Sequence, residues 1–330
     1  MASSNRIVLE VVNEDAIAFS SDVLVLKHAQ DLYGLDEQVV SLFEQSGHSI
    51  RSELPVEGES VMIDSPTEIS SPKVTFIGTP SLRFFGYKEI REFGRAAIQS
   101  LSKSEYHIEH ISLTIHGAGF GLDEEEAFSS QLAGILDAIT SGQFPTGLQK
   151  ITILEKARRR VTALQNLLNK LLPAGYIDTD PHAYFGGNEK SSKQTLREAG
   201  YTSESKPHIF VAMPFKESME DTWDYGIQPP IKAAGYICER ADLSSFTGDV
   251  MRWVRKRIKT AEIVVADLTE SNPNVYLEVR YAWGVGVPTI LLIDNESELK
   301  FDVRGQRCLK YKRIKDLEKL LEKELEKLNV

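Results

Sequence analysis

Cysteine is scarce in this chain, with only Cys238 and Cys308 among its 330 residues. They lie in different segments without metal-ligand spacing, so neither a disulfide framework nor a zinc site is expected, and both thiols read as packing residues. A surplus of basic charge is also missing. Lys and Arg total 38 against 48 Asp and Glu, a formal net charge of -10, which argues against broad attraction to nucleic acid or anionic membrane. Direct nucleic-acid binding is therefore not expected, and a small anionic ligand would need a dedicated site. No apolar run approaches the ~20 residues that span a bilayer. The N-terminal MASSNRIVLEVV lacks the basic start and long apolar core of a signal peptide, so the expected setting is cytoplasmic, without membrane contact.

What remains is an ordinary soluble composition, 42% hydrophobic and 26% charged, over a length that exceeds what one hydrophobic core usually organises. Two domains are expected. The stretch from Leu172 to Pro207 has the weakest apolar periodicity and many turn formers, which predicts a linker over 173–206. Tyr176, Ile177, Tyr184 and Phe185 within it predict a linker that packs rather than a free tether.

On either side, short β-branched runs alternate with helical periodicities, the pattern of α/β domains, each a mainly parallel sheet flanked by helices. In residues 1–172 the strand runs are VLVLK, KVTFIG, ISLTIHG and KITILE, and Arg158–Leu172 is an amphipathic helix. In residues 207–312 they are HIFVA, GYICE, EIVVAD and TILLI. Residues 313–330 form a last amphipathic helix, with Ile314, Leu317, Leu320, Leu321, Leu325 and Leu328 on its apolar face. It reads as a docking or oligomerisation helix, because it holds too few heptads for a coiled coil.

In open parallel sheets ligands sit beyond the carboxyl ends of the strands, so residues directly after each run carry the most information. In the C-terminal domain these are Met213, Pro214 and Phe215, then Arg240 and Asp242, then Asp267. After Asp267, Asn272 can cap a helix whose first residue is Pro273. Helical spacing then puts Asn274, Glu278 and Tyr281 on one face. A carboxylate there can act on a ribose C1′ as a nucleophile or as a stabiliser of oxocarbenium-like charge. Asp267 and Asp242 can hold sugar hydroxyls or protonate a leaving base, although Asp267 fits a loop cap equally well. Arg304 in FDVRGQR fits either a phosphate contact or a structural anchor.

The N-terminal domain offers Gly117, Gly119 and Gly121 between a strand and an acidic helix start, with His116 and His28 as further candidates for lining a pocket. Glycines there let backbone amides approach a phosphate, but a tight turn before a self-capped helix explains them equally well. No metal site is expected in either domain.

The segments IFVAMPF, RAD, AEIVVADLTESNPNVYLEVRYAWGVGVPTILLID and FDVRGQR resemble the nucleoside 2-deoxyribosyltransferase superfamily and its TIR-like relatives. The resemblance implies a flavodoxin-like or TIR-like fold for 207–312 and N-glycosidic chemistry at Glu278. It also implies a nucleoside seat at Met213, Pro214 and Phe215. Val279 and Arg280 stand where that superfamily has Leu-Gly, a change that narrows the pocket or adds a phosphate contact.

The strand, helix and HGAGFGLDEEEA pattern of 1–172 is similar to a macro-type domain, notably the N-terminal domain of leucine aminopeptidases. That resemblance implies an ADP-ribose-like or nucleotide ligand, or else a role in assembly. Together they imply an N-glycosidase acting on NAD or another nucleotide as substrate, with no cofactor required. The combination is expected to work as a homo-oligomeric effector in bacterial anti-phage defence, regulated by a signal nucleotide at His116, Gly117, Gly119 and Gly121. The alternatives are a housekeeping deoxyribosyltransferase or nucleotide hydrolase, and a non-catalytic nucleotide-binding or scaffold protein.

Overall fold

The structure is a computed structural model that describes residues 6–117, 121–179, 190–240, 248–294, 303 and 305–328. The chain divides into two compact units, residues 1–117 with 124–204, and residues 118–123 with 205–330. Both are α/β and dominated by parallel strands. No helix of the described residues is long and apolar enough to cross a membrane.

Unit 1 is built on β1 (Arg6–Val12), β2 (Val23–His28), β3 (Ser60–Asp64), β4 (Lys73–Gly78), β5 (His110–Thr114), β6 (Lys150–Leu154) and β7 (Tyr176–Asp178). They form one sheet in the order β3-β4-β2-β5-β6-β1-β7, parallel except for the edge strands β3 and β7. The central strands are continuously apolar because both faces are covered. On β2, Val23 and Val25 enter one core and Leu24 and Leu26 the other, as the two-residue strand period requires. The first core is closed by α2 (Tyr87–Gln99), α3 (Glu124–Thr140) and α4 (Arg158–Leu171), the second by α1 (Leu35–Gln45).

Helices α2 and α3 pack almost backbone to backbone. A Cβ added to Gly134 would sit 1.9 Å from the Arg91 carbonyl oxygen, and one on Gly94 would sit 2.3 Å from that of Gln131. Only glycine fits at those crossings.

Residues 173–206 depart from the linker expected of them. They contain β7, paired antiparallel with β1, and α5 (Lys190–Glu198), which packs on α3 and α4. Arg91 forms a two-pronged ion pair with Asp137 and donates to the carbonyls of Leu196, Arg197 and Ala199. It thereby takes up carbonyls that the end of α5 would leave unpaired. Turn formers hid this segment because it is fastened by a few scattered core residues, Ile177, Leu196 and Ala199, together with one buried arginine from a distant helix.

Unit 2 has five strands, β8 (His208–Ala212), β9 (Ile237–Glu239), β10 (Ile263–Asp267), β11 (Thr289–Ile293) and β12 (Cys308–Lys310). They are all parallel, in the order β12-β11-β10-β8-β9. Counted within the unit this is 2-1-3-4-5, the flavodoxin-like doubly wound order. Between β8 and β9 run α6 (Glu217–Asp221), a π-helical turn (Thr222–Ile227) and α7 (Gln228–Ala233). The π turn has a local cause. Pro229 and Pro230 lack the N–H groups that would close α-helical bonds to Tyr225 and Gly226, and their rings crowd those carbonyls.

Helices α8 (Gly248–Thr260) and α9 (Pro273–Gly284) pack against each other and against the central strands. The last helix, α10 (Ile314–Leu328), buries Leu317, Leu321 and Leu325 in the core of unit 2 together with Ile209, Val265 and Leu292. Those three leucines are thus spent on their own unit, while Leu328 is exposed.

Candidate functional site

In a doubly wound sheet a crevice opens where neighbouring strands send their connections in opposite directions. In unit 2 those neighbours are β8 and β10. The connection after β8 leads outward to β9, and the one after β10 leads to β11 on the other side. Their register pairs Ala212 with Ala266, so the loops that follow begin at the same end of the sheet.

The first loop is Met213-Pro214-Phe215-Lys216 and the second runs from Leu268 to Asn272. They are joined by an ion pair between Lys216 and Glu270, 2.5 Å apart. In the second loop Glu270 and Ser271 both adopt left-handed backbone, φ 64° and 52°. Neither is a glycine, and such residues cost about 1–3 kcal/mol each, a strain typical of functional loops. The loop ends as the sequence predicts: Asn272 Oδ1 accepts from the Asn274 N–H at 2.9 Å, and Pro273 opens α9.

Glu278 is the sixth residue of α9, about 8 Å along the axis from the helix start at 1.5 Å per residue. It is 5% exposed. No charged group and no hydrogen bond of the described residues offsets that burial, which alone pushes its carboxyl up to about 8. At neutral pH Glu278 is therefore mainly protonated. Buried carboxyls with such shifts concentrate at catalytic sites.

The other predicted residues divide sharply. Met213 and Pro214 are buried and Phe215 is half-buried at the loop after β8. Asn274 is exposed. Tyr281 is half-buried, with the Arg255 guanidinium 5.9 Å from its ring centroid. Asp267 is wholly buried, and both its oxygens are occupied: Oδ1 accepts from the Thr269 N–H at 2.9 Å and Oδ2 from the Tyr311 hydroxyl at 2.7 Å. Burial raises its pKa against those hydrogen bonds. This geometry fits the cap reading of Asp267 better than a substrate contact. Asp242 and Arg304 lie outside the described residues.

Arg240, the first residue after β9, is singled out by that position in the sequence but given no role by it. Its guanidinium lies 4.0 Å from the Phe215 ring centroid and 4.5 Å from that of Trp223. It donates to Glu220 at 2.9 Å and approaches the Met213 sulfur at 3.7 Å. The signal available was its position directly after a strand. Cys238, two residues earlier, is buried, and burial pushes its thiol far up, so it is inert.

In unit 1 the corresponding crevice lies between β2, whose connection leads to β3 at one edge of the sheet, and β5, whose connection leads to β6 on the other side. Lys27 and His28 end β2, and His116 and Gly117 follow β5. Lys27 is buried in an ion pair with Asp36, and His28 Nδ1 lies 2.9 Å from the Pro55 carbonyl oxygen. His116 is buried with its ring edge-on to Phe93 at 4.5 Å. Burial, and then Lys27, hold it well below the usual imidazole range, and its Nε2 has no hydrogen-bond partner among the described residues.

The glycine loop is divided. Gly117 (φ 95°) belongs to unit 1, whereas Gly121 (φ 101°) belongs to unit 2. There Gly121 accepts from the Arg240 N–H at 3.0 Å and Asp123 from the Cys238 N–H at 3.2 Å, covering the open edge of β9. Of the set expected to hold a regulatory ligand, Gly121 spends its carbonyl oxygen on the sheet edge, and Gly119 lies outside the described residues.

No protein-family model matches the chain, and no curated protein matches it. Solved structures similar to parts of it include a CMP N-glycosidase, BcmB, of Clostridium botulinum. That match has 19% identity, covers 37% of this chain and 97% of the other, and has a TM-score of 0.29. Another is a mutant macrodomain of Oceanobacillus iheyensis with ADPR, at 16% identity, 50% and 94% coverage and a TM-score of 0.39. Both TM-scores lie below 0.5, so any role for this chain has to rest on its own residues.

Proposed function

We propose that unit 2 cleaves the N-glycosidic bond of a nucleotide-type substrate, with Glu278 acting at C1′. The observation that carries this reading is the Glu278 carboxyl, buried and without a charged or hydrogen-bond partner among the described residues, on the helix that follows β10 at the switch point. A carboxylate stripped of water and of hydrogen bonds stabilises an adjacent cation far more than a solvated one does. As the C1′–N bond breaks, its electron pair goes to the base and positive charge develops on the sugar, where ionised Glu278 bonds or pairs with it. Water then takes the base's place at C1′, and the proton it gives up ends on the departed base or, where that base leaves neutral, in solvent. Asp267, with both oxygens engaged, serves in this scheme as the tie between β10, its loop and Tyr311. Met213, Pro214 and Phe215 form one wall, and Asn272 fixes the start of α9.

The reading is tested by incubating the full chain with NAD and with purine and pyrimidine nucleosides and nucleotides, then separating free base by chromatography. Base release that Glu278→Gln abolishes, with the fold retained, supports it; no release from any of them refutes it. Transfer of the sugar to a second added base would assign the transferase alternative. Within the same proposal, unit 1 is a sensor whose ligand meets the unpartnered His116 Nε2. Dependence of base release on an added signal nucleotide, lost in His116→Phe, is the expected behaviour.

A further inference from the structure

We propose that Arg240 is a positioning residue that clamps the Met213–Phe215 loop, so that Phe215 stands as a preformed ledge for the substrate's base. The proposal deepens the glycosidase reading and rests on it for the word substrate. The clamp itself stands on packing alone.

Arg240 is 9% exposed and reaches three separate pieces of unit 2. One face of its guanidinium covers Phe215 of the loop after β8, and Trp223 of the π turn is also within cation-π range. Its Nη2 holds Glu220 of α6. Among the described residues Glu220 is the carboxylate within ion-pair distance, with Asp224 farther off, and the Glu220 side chain is 41% exposed. Burying a guanidinium on such terms is a costly way of filling space that an apolar side chain of similar volume would also fill.

What an apolar group cannot do is engage two aromatic rings and a carboxylate at once. A planar guanidinium can, and a lysine ammonium, a point charge on a flexible stem, cannot. The π turn belongs to the same device, since it sets the phase at which Trp223 leaves the helix to meet Arg240. With Met213 and Pro214 buried and Arg240 behind it, the half-buried Phe215 is left with little freedom at the mouth of the crevice. A ring held this way offers stacking surface whose ordering cost has already been met in the folded protein.

The test uses the full chain carrying Arg240→Met or Arg240→Lys. Backbone amide exchange at Met213, Phe215 and Lys216 reads the clamp without any substrate. The expected result is at least tenfold faster exchange in Arg240→Met, with β10 amides unchanged and only partial rescue by lysine. Unchanged exchange at the loop overturns the clamp whether or not the protein is a glycosidase. Loosened loop amides in a chain that releases no base from any nucleotide would leave the clamp standing and remove the glycosidase reading.

Where base is released, a KM raised about tenfold in Arg240→Met with kcat within threefold is expected, because a wandering ledge weakens seating without touching the reacting bond. A mere loss of folded protein would lower apparent kcat and leave KM alone, and that outcome overturns the ledge. Full recovery of KM by lysine overturns the planar two-ring argument.

Discussion

Removing the Glu278 charge should stabilise unit 2, and the gain should grow with pH. Its carboxyl has a folded-state pKa of about 8 against 4.5 for the unperturbed group. Between those values the unfolded chain has lost the proton and the folded chain has kept it, so stability falls by about 1.4 kcal/mol for each pH unit. The stabilising preference is fully present below 4.5 and is exhausted above 8. Glutamine, close in shape and unable to ionise, escapes this slope. The stability of Glu278→Gln relative to the parent should therefore be near zero at pH 4, about 3 kcal/mol at pH 7 and about 5 kcal/mol at pH 9.

All three tryptophans, Trp223, Trp253 and Trp283, lie in unit 2, so tryptophan fluorescence during urea unfolding reports on that unit selectively. Other carboxylates titrate equally in both proteins and cancel in the difference. A difference that stays constant from pH 5 to pH 9 would mean that Glu278 is solvated or paired, and the proposed chemistry would lose its basis.

The same carboxyl sets the pH dependence of turnover. If the ionised form acts at C1′, kcat/KM should rise with pH along a limb centred near 8 and then level; a limb that falls there would assign Glu278 the proton-donor role instead. Tyr311→Phe removes the hydroxyl donor from buried Asp267 and should cost about 1–3 kcal/mol in urea unfolding followed by fluorescence. Because that substitution leaves the Glu278 carboxyl in place, the alkaline limb should keep its position. Gly134→Ala forces α2 and α3 apart, and a loss of about 2 kcal/mol or more is expected in unit 1, read by circular dichroism; an undiminished midpoint would contradict the backbone contact. His116→Phe removes an unpaired buried nitrogen and should raise the melting midpoint of the ligand-free chain, the saving being about 1–3 kcal/mol.

Much of this framework can be read from local sequence because parallel strands buried on both faces leave uninterrupted apolar runs, and because helix starts carry their own chemistry. HIFVA, EIVVAD and TILLI are strands for the first reason. The Asn272 cap and Pro273 locate α9 for the second, and they place Glu278 on its second turn. What escaped were interactions between residues far apart in the chain. Arg91 fastens α5 through three carbonyls over a hundred residues away, so the unit continues to Glu204 although its last segment looks like a linker. The Lys216–Glu270 pair joins two loops that are legible only as turns, and the left-handed backbone at Glu270 and Ser271 has no glycine to announce it.

The roles of Glu278 and Asp267 part for the same reason. Both are carboxylates at or just beyond the end of β10, and spacing alone ranks them together. The difference lies in Tyr311, 44 residues further on, which donates to Asp267, whereas no charged or hydrogen-bonding group of the described residues meets the Glu278 carboxyl. A carboxylate with two donors is satisfied and makes a poor partner for a developing cation. One with none gains most from such a cation, so the absence of partners, which no motif encodes, makes Glu278 the better candidate to meet C1′.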